Sequence, residues 1–200
     1  MPALEKNIPA PGEVEVFDHK YRLTTEQYYA MSEAGIFGED DKRVELIDGE
    51  IHRTEPPGPM HSRGGMRLFR LFDKAIGDRF FVSYEEPISI VDGTEPMPDL
   101  LIAKGPESAY EEKHPTADDL VAVVEISKTS LASDRKWKSS LYAGAGIPEY
   151  WIVNLVDKQV EVYRKPSEKK YSEIVVYKPG EQVPLAFAGE VAIAVSDFLR

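Results

Sequence analysis

The sequence predicts a mixed α/β fold built as one domain, and three observations support this. The chain has 200 residues, enough for one domain with a sizeable core and too few for two. Hydrophobic residues make up 42% and charged residues 30%, as in ordinary globular proteins. From residue 61 onward, the predicted elements are a helix, three strands, a buried strand, a helix and two strands. This order indicates one mostly β sheet flanked by helices.

Charge and cysteine content exclude several classes of function. The formal net charge is −11, so the field of the whole molecule repels phosphate and argues against avid, non-specific binding of nucleic acid. It leaves room for a local basic groove, or for a metal ion among acidic ligands. The chain has no cysteine, which excludes disulfides, a thiolate nucleophile and cysteine-bound zinc.

The sequence predicts no targeting or membrane segment. Residues 1–7 lack an apolar core of signal-peptide length, and the longest apolar run, residues 120–124, is far too short to span a bilayer. We therefore expect a cytoplasmic protein without membrane insertion. Residues 1–20 contain three prolines and scattered charge, which predicts a flexible arm before a single domain of residues 21–200.

The first elements after this arm are a helix and a hairpin. Thr24 and Gln27 have the spacing of a capping box, so a short helix should run from there to about Gly35. Asp48-Gly49 is a dipeptide typical of tight turns, and the apolar pattern on either side predicts two short strands joined by it.

A long helix is predicted over residues 60–76, ending at Gly77. It carries an apolar stripe and a basic stripe at helical spacing. The apolar stripe consists of Met66, Phe69, Phe72 and Ile76, and the basic stripe of Arg63, Arg67, Arg70 and Lys74. The sequence leaves two interpretations of the basic stripe open: a solvated surface face, or a DNA-binding strip that contacts phosphates.

Beyond this helix, the pattern predicts a series of strands and one more helix. The strands cover residues 80–84, 88–91, 97–104, 120–127, 150–155, 160–163, about 173–178 and about 190–195, and the helix covers residues 134–145. Pro98 opens its strand, a position where strands tolerate proline. The run Leu120–Ser127 is apolar almost without interruption, which indicates a central strand buried on both faces.

Two carboxylates lie where this pattern predicts core. Glu125 interrupts the buried strand, on the same face as Val121 and Val123. Because an unpaired buried carboxylate is costly, it needs a cation, a hydrogen-bond network or a proton. Asp99 follows Pro98 at the entry of another apolar strand. If the two strands are neighbours, the carboxylates converge and offer the hard oxygen ligands that suit Mg²⁺ or Mn²⁺.

A purely structural role for these carboxylates is the alternative. Glu125 would then pair with a lysine or arginine, and Asp99 would cap a turn. Two lysines lie within reach: Lys128 at the strand end and Lys138 on the next helix. Either could stabilise charge that develops in a reaction at the carboxylate pair, whereas Lys138 could equally be an exposed partner of Asp134, four residues before it.

The residues around these carboxylates form a longer pattern. It comprises VELIDGE at residues 44–50, Pro56-Pro57, His61, Pro98-Asp99, VVEI at residues 123–126, TSL at residues 129–131, Asp134-Arg135 with Lys138, Tyr142-Ala143, and GIPEYWIV at residues 146–153. Each piece alone is weakly specific. The joined pattern, over about residues 20–165, resembles a large bacterial family of putative restriction endonucleases with the PD-(D/E)xK nuclease core.

The resemblance implies the restriction-endonuclease-like fold, a mixed β-sheet flanked by helices with the active site at one edge of the sheet. In this chain, extra β-hairpins lie at the N- and C-terminal sides. Asp99 and Glu125 would supply the acidic elements of the pattern. Together with the backbone carbonyl of Ile126, they would bind Mg²⁺ or Mn²⁺.

The resemblance leaves open the position of the lysine and the roles of two accessory residues. Ser127 stands where the plain pattern has lysine. In this family the lysine lies on the following helix, where Lys138 falls, and Lys128 is the competing candidate. Glu45 and His61 match recurrent family positions without a defined role. A cap at the helix start is the simpler interpretation of His61.

The function implied by the resemblance is a metal-dependent endonuclease that hydrolyses DNA, with Asp99, Glu125 and Lys138 as catalytic residues. The basic stripe would contact phosphates and supply position rather than sequence readout. Because a duplex has two strands to cut, a homodimer would suit the reaction. The alternative is a catalytically inactive nucleic-acid-binding or protein-interaction domain on the same fold, favoured by the −11 charge and by Ser127.

Overall fold

The computed structural model describes residues 20–38, 44–54 and 56–199. The N-terminal arm predicted over residues 1–20 lies outside this range except for its last residue. Within the described ranges, no helix has the length and apolar character needed to cross a membrane.

The predicted capping box and the first hairpin are both confirmed. α1 (Thr25–Glu33) begins at a box in which Thr24 and Gln27 each accept a hydrogen bond from the other's backbone N–H. β1 (Val44–Ile47) pairs antiparallel with β2 (Glu50–Arg53) across the predicted tight turn, whose two residues both have positive φ. Asparagine, aspartate and glycine tolerate that conformation best, which explains why the dipeptide predicts the turn.

The central sheet has six strands in the order of the chain. They are β3 (Phe80–Tyr84), β4 (Leu100–Lys104), β5 (Leu120–Ser127), β6 (Glu149–Asn154), β7 (Gln159–Ser167) and β8 (Lys170–Tyr177). All neighbours are antiparallel except β5 and β6, which run parallel. Parallel neighbours need a crossover connection, and helical residues between β5 and β6 supply it. The predicted mixed α/β class is therefore confirmed.

One face of the sheet is covered by α2 (Pro59–Ile76), which confirms the predicted long helix. Its buried side chains Leu68, Phe72 and Ile76 are spaced by four residues and enter the core. The predicted apolar stripe is wrong at Met66, which is 40% exposed. Met66 lies six residues before Phe72, which places it on another side of the helix.

The opposite face is covered by one continuous helical segment. It consists of α3 (Leu131–Ser133), a π-helical turn (Asp134–Lys138) and α4 (Ser139–Gly144). Tyr142 of this segment is fully buried, and its ring centroid lies 5.1 Å from that of Tyr150 on β6. The predicted helix is therefore present, but it starts earlier and includes a π-helical turn that the apolar pattern does not reveal.

β5 is buried along its whole length, as its apolar run predicts. A bulge interrupts its ladder with β4, because Ala122 and Leu120 pair with consecutive residues of β4 and leave Val121 without a partner. The extra residue turns Val121 toward the α2 face of the sheet. The prediction that Val121 shares a face with Glu125 is therefore wrong.

The C-terminal residues add a short hairpin and a helical turn on the α2 side. β9 (Gln182–Pro184) pairs antiparallel with β10 (Ala192–Ala194), and α5 (Val195–Phe198) follows. The last predicted strand corresponds to β10. β9 and α5 escaped prediction because three or four residues are too few to show a period.

Two of the strands predicted between residues 85 and 104 differ from the observed structure. Residues 88–91 form only isolated bridges rather than a strand. β4 begins at Leu100 instead of residue 97, since the backbone N–H of Met97 donates to the side chain of Glu45 at 2.9 Å and not to a neighbouring strand. The hydrogen bond to Glu45 thus takes Met97 out of the sheet, and β4 starts three residues later than predicted.

The close approach of α2 to the sheet gives a matched pair of variants. A Cβ added at Gly65 would lie 2.6 Å from a ring carbon of Tyr84 and 2.9 Å from Cδ1 of Ile126, whereas one added at Gly64 meets nothing within 4 Å. We expect Gly65→Ala to lower the free energy of unfolding by about 1–3 kcal/mol through overpacking. Gly64→Ala should raise it by up to about 1 kcal/mol through helix propensity. Urea denaturation measures both, and equal effects would contradict this packing.

Candidate active site

The two predicted carboxylates meet where β4 begins and β5 ends. Leu100 pairs with Val124 in antiparallel register, so Asp99 lies beside Glu125 one step further along. The backbone N–H of Ile126 donates to Oδ2 of Asp99 at 2.6 Å and ties the two chain segments together beyond the ladder. The carboxylates are 8% and 5% exposed, so both belong to the interior at the end of the sheet.

The helical segment supplies both hydrogen-bond donors to Glu125. Nζ of Lys138 lies 2.7 Å from Oε1, and the hydroxyl of Tyr142 donates to the same oxygen at 2.9 Å. Tyr142 follows Lys138 by four residues, which places the two side chains one above the other on the helix. A basic residue and a hydroxyl thus approach the buried carboxylate together.

The first hairpin contributes a third buried carboxylate. Oε1 of Glu45 on β1 lies 3.6 Å from Nζ of Lys138 and accepts the Met97 hydrogen bond described above. Glu45 is 3% exposed. The sequence assigned Glu45 no firm role, and the structure places it within reach of the same lysine as Glu125.

Negative charge exceeds positive charge in this cluster. Burial, reinforced by Asp99, Asp134 and Glu45, raises the pKa of Glu125 well above its ordinary value despite the opposing effect of Lys138. Burial disfavours the charged form of Lys138, but the carboxylates of Glu125 and Glu45 outweigh it and raise the lysine's pKa. The cluster therefore favours the protonated form of the lysine and contains more acidic than basic groups.

His61 lies in the site rather than at a helix cap. Its Nε2 is 3.1 Å from Oδ2 of Asp99, while its Nδ1 is buried without a hydrogen-bond partner in the described structure. The N-cap of α2 is Gly58, which receives no side-chain cap. The interpretation of His61 as a cap is therefore wrong, because the first turn of α2 points this ring at the carboxylates.

The structure brings Lys138, and not Lys128, to the carboxylates. Lys128 follows β5 directly and is exposed. Among the residues that the structure describes, no ion pair joins it to the carboxylates, whereas Lys138 pairs with Glu125 and Glu45. Lys138 closes the π-helical turn, which widens the helix by one residue at the point where its side chain enters the site. Such turns are frequent at functional sites.

Buried hydrogen bonds fix the start of this turn against the end of β5. Oδ2 of Asp134 accepts from the hydroxyls of Ser127 and Ser130, each at 2.6 Å. Asp134 is 2% exposed. Neither this carboxylate nor Tyr142 was predicted from the sequence to be a site residue. Their spacing four residues on either side of Lys138 was the available signal.

A second anchor joins the turn to β7. Arg135 donates to both oxygens of Glu161, at 2.9 Å and 2.5 Å, and Asn154 and Gln159 donate to the same carboxylate. Burial alone would raise the pKa of Glu161, but these hydrogen bonds outweigh it and lower the pKa to about 2. In contrast to Glu125, this carboxylate is fully compensated, which indicates a structural role.

The basic stripe of α2 divides into two parts. Arg63, Arg70 and Lys74 are exposed. Arg67 is half-buried and donates from Nε and Nη2 to the backbone carbonyl of Phe198, at 3.2 Å and 2.9 Å. The prediction that the whole stripe faces solvent is therefore wrong at Arg67, which holds the C-terminal α5 against α2.

The donor chemistry of the cluster fits a hard cation. In the described part of the chain, no three side chains of His, Asp or Glu are arranged as a complete metal site. The hydrogen bonds described above reach only Oε1 of Glu125 and only Oδ2 of Asp99, so the other oxygen of each carboxylate can face an ion. Two carboxylate oxygens and a backbone carbonyl suit Mg²⁺ or Mn²⁺ better than softer metals.

The fold is similar to that of a solved protein described as a putative nuclease. The crystal structure of this DUF820 protein from Anabaena variabilis matches with a TM-score of 0.68, over 88% of this chain and 97% of that chain, at 19% sequence identity. At this identity the likeness shows that the two proteins share a fold. A search of the curated proteins finds no match.

The sequence also matches a family model. The model of Uma2, described as putative restriction endonuclease, covers residues 25–196. The chain therefore belongs to the Uma2 family of putative restriction endonucleases, which confirms the resemblance drawn from the motifs.

The anchor at Glu161 predicts a pH dependence of stability. Because the pKa of Glu161 is lowered in the folded state, its contribution is complete above the ordinary value of 4.5 and disappears as the pH falls toward about 2. Glu161→Gln should lower the free energy of unfolding at pH 7 by about 1–3 kcal/mol, and the difference from wild type should shrink below about pH 4.5.

The matched control for this experiment is Glu173→Gln. Glu173 pairs with Lys165 on the surface, where the two side chains are 34% and 72% exposed. Removing this pair should have a much smaller effect. Urea denaturation at several pH values measures both variants, and a Glu161→Gln effect that does not change with pH would refute the assignment.

Proposed function

We propose that this protein is a metal-dependent endonuclease that hydrolyses DNA phosphodiester bonds, with Asp99, Glu125 and Lys138 as catalytic residues. One observation carries the proposal: Nζ of Lys138 lies 2.7 Å from Glu125, which is beside Asp99 in the register of the sheet. A lysine delivered by the following helix takes the place that Ser127 leaves vacant in the PD-(D/E)xK pattern. Membership of a putative restriction endonuclease family supports nuclease activity.

Asp99 and Glu125, with the backbone carbonyl of Ile126, would hold one or two Mg²⁺ or Mn²⁺ ions. Such an ion, when bound, supplies Lewis-acid activation of water and of the scissile phosphate. The excess of buried carboxylates over lysine supports this proposal, because their mutual repulsion is relieved by a divalent cation.

Lys138 would act as a cation rather than as a base. The carboxylates of Glu125 and Glu45 lie 2.7 Å and 3.6 Å from its ammonium group and favour the protonated form. A protonated lysine here orients the attacking water or neutralises charge that builds up on the phosphoryl oxygens. Tyr142, which shares Oε1 of Glu125 with the lysine, would hold the carboxylate in orientation.

The exposed part of the basic stripe would position DNA. Arg63 lies two residues after His61, which contacts Asp99, so the stripe begins at the end of α2 that reaches the site but on another side of the helix. Arg70 and Lys74 continue it along α2 for about three further turns. Contacts from these side chains to phosphates would fix the register of the nucleic acid without reading its sequence.

A catalytically inactive binding domain is the second candidate. The net charge of −11 favours its protein-interaction form, because an acidic protein binds polyanionic DNA poorly. Metal binding without cleavage of any DNA substrate would support this candidate.

Replacing each candidate lysine in turn tests the proposed mechanism. Lys138→Ala should lower Mg²⁺-dependent cleavage of plasmid DNA by about 10²-fold or more, because it removes charge stabilisation in the transition state. Lys128→Ala, which removes an exposed lysine next to the site, should change cleavage only slightly. Loss of cleavage in Lys128→Ala with activity retained in Lys138→Ala would overturn the assignment.

Calorimetric titration with Mn²⁺ separates the lysine from the metal ligands. Asp99→Asn should lose most Mn²⁺ binding, because an amide is a poorer ligand than a carboxylate. Lys138→Ala should keep Mn²⁺ affinity close to that of wild type. Unchanged Mn²⁺ affinity in Asp99→Asn would remove Asp99 from the metal site.

The role of the basic stripe is tested by reversing its exposed charges. The double variant Arg63→Glu/Arg70→Glu should weaken DNA binding and reduce the slope of log affinity against log salt by about 0.9 for each phosphate that the protein no longer neutralises. Its free energy of unfolding should stay close to that of wild type because both side chains are exposed. Arg67 is left out because it anchors α5. An unchanged salt dependence would return the stripe to the solvated-face interpretation.

A further inference from the structure

Trp137 and His52 form an aromatic pair at the exposed edge of the site, which we call its mouth. The proposed catalytic mechanism does not use this pair. The ring of Trp137 stacks on that of His52 of β2, with centroids 6.0 Å apart and planes inclined by 26°. Trp137 is 37% exposed, whereas the only other tryptophan of the chain, Trp151, is fully buried in the core. The pair therefore presents aromatic surface to solvent directly beside Lys138.

The hairpin geometry fixes this pair next to the carboxylates. His52 is the direct cross-strand partner of Glu45, so the two side chains share one face of the hairpin. On that face, Glu45 reaches the ammonium group of Lys138, and His52 reaches the ring of the preceding residue, Trp137. One surface of the hairpin thus contacts two consecutive residues of the π-helical turn. Trp137 lies at the mouth of the site, and Lys138 lies in its interior.

Burial does not explain the position of Trp137. A tryptophan that anchored the helical segment would lie in the core, where Tyr142 already fills that role with no exposed surface. The segment is also held by the buried Asp134 and by Arg135. The exposed ring is therefore not required for docking the helix.

Exposed cations lie near Trp137 in the chain of an acidic protein. From residue 128 to residue 138, the chain carries Lys128, Arg135, Lys136 and Lys138 against a single acid, Asp134, although Arg135 is paired with Glu161 and Lys138 with Glu125. Asp134 is buried and hydrogen bonded. Lys128 and Lys136 are exposed. An aromatic surface flanked by exposed cations is the combination that binds single-stranded nucleic acid, in which phosphates meet the cations and a base stacks on the ring.

We propose that Trp137 and His52 stack an unpaired base next to the scissile phosphate, which makes single-stranded or locally unpaired DNA the substrate class. The faces of paired bases in a duplex are covered by their neighbours, so only an unstacked base can meet the ring. That this DNA is a substrate rests on the proposed nuclease function. The binding of the unpaired base does not depend on cleavage.

The test measures the binding of a short fluorescein-labelled oligothymidylate by fluorescence polarisation, in a buffer that contains Ca²⁺ in place of Mg²⁺. Trp137→Ala should weaken binding of this strand by about fivefold or more, since stacking of one base contributes at least about that factor. Trp137→Phe keeps an aromatic face and should retain most of the affinity. A blunt DNA duplex of the same length should bind wild type and Trp137→Ala with similar affinity.

Intrinsic fluorescence gives a second readout from the same residue. Stacking should quench the emission of Trp137 in the wild-type protein as the unlabelled oligothymidylate is added, while the buried Trp151 provides a constant background. The control variant is Ile174→Ala, which removes a 56% exposed apolar side chain on β8, at the far edge of the sheet. It should alter neither binding nor quenching.

Each outcome decides the proposal. Equal affinities of Trp137→Ala and Trp137→Phe, absence of quenching, or failure of the wild-type protein to bind the single strand would overturn it. An equal loss of affinity for strand and duplex would assign Trp137 to general DNA binding instead. If the proposed nuclease function fails, cleavage is absent while the selective loss of strand binding in Trp137→Ala persists, so the two failures are distinguishable.

Discussion

The ion pair between Lys138 and Glu125 is the interaction on which the arrangement of the site depends. Glu125 lies on the central strand, where an uncompensated carboxylate would cost several kcal/mol. The helical segment that crosses from β5 to β6 must therefore dock so that its lysine reaches this carboxylate. The π-helical turn, the buried Asp134 and the Arg135–Glu161 contact all serve that docking. The need to compensate the charge of Glu125 thus explains why the helical segment after β5 contains a π-helical turn.

Two carboxylates that contact the same helical segment differ in electrostatics. Glu161 receives a bidentate arginine and two amide donors, and its pKa is lowered. Glu125 lies near Asp99 and Glu45 with one lysine between them, and its pKa is raised. The first arrangement is what stability alone favours. The second keeps like charges together at a cost in stability, which is typical of sites that bind a cation or perform chemistry.

The site is assembled from segments that are far apart in the chain, and the hairpin of β1 and β2 contributes to both its buried and its exposed parts. Its inner face supplies Glu45 to the ammonium group of Lys138 and His52 to the ring of Trp137. Glu45 also holds the backbone N–H of Met97, so it sets where β4 begins. The same short hairpin thus sets the start of β4, contacts Lys138 inside the site and contacts Trp137 at its mouth.

The sequence by itself determined the fold class and singled out Asp99 and Glu125 as carboxylates that meet if their strands are neighbours. Both follow from local signals, since a continuous apolar run marks a central strand and a single acid within it marks a position that needs a partner. The tertiary structure alone decided that β4 and β5 are neighbours, so that the carboxylates meet, that Arg67 is an anchor, and that Trp137 is exposed. Periodicity along a segment reports which side of an element is apolar. The direction in which a helix docks, and therefore which of its side chains reach another strand or remain in solvent, depends on contacts with residues distant in the chain.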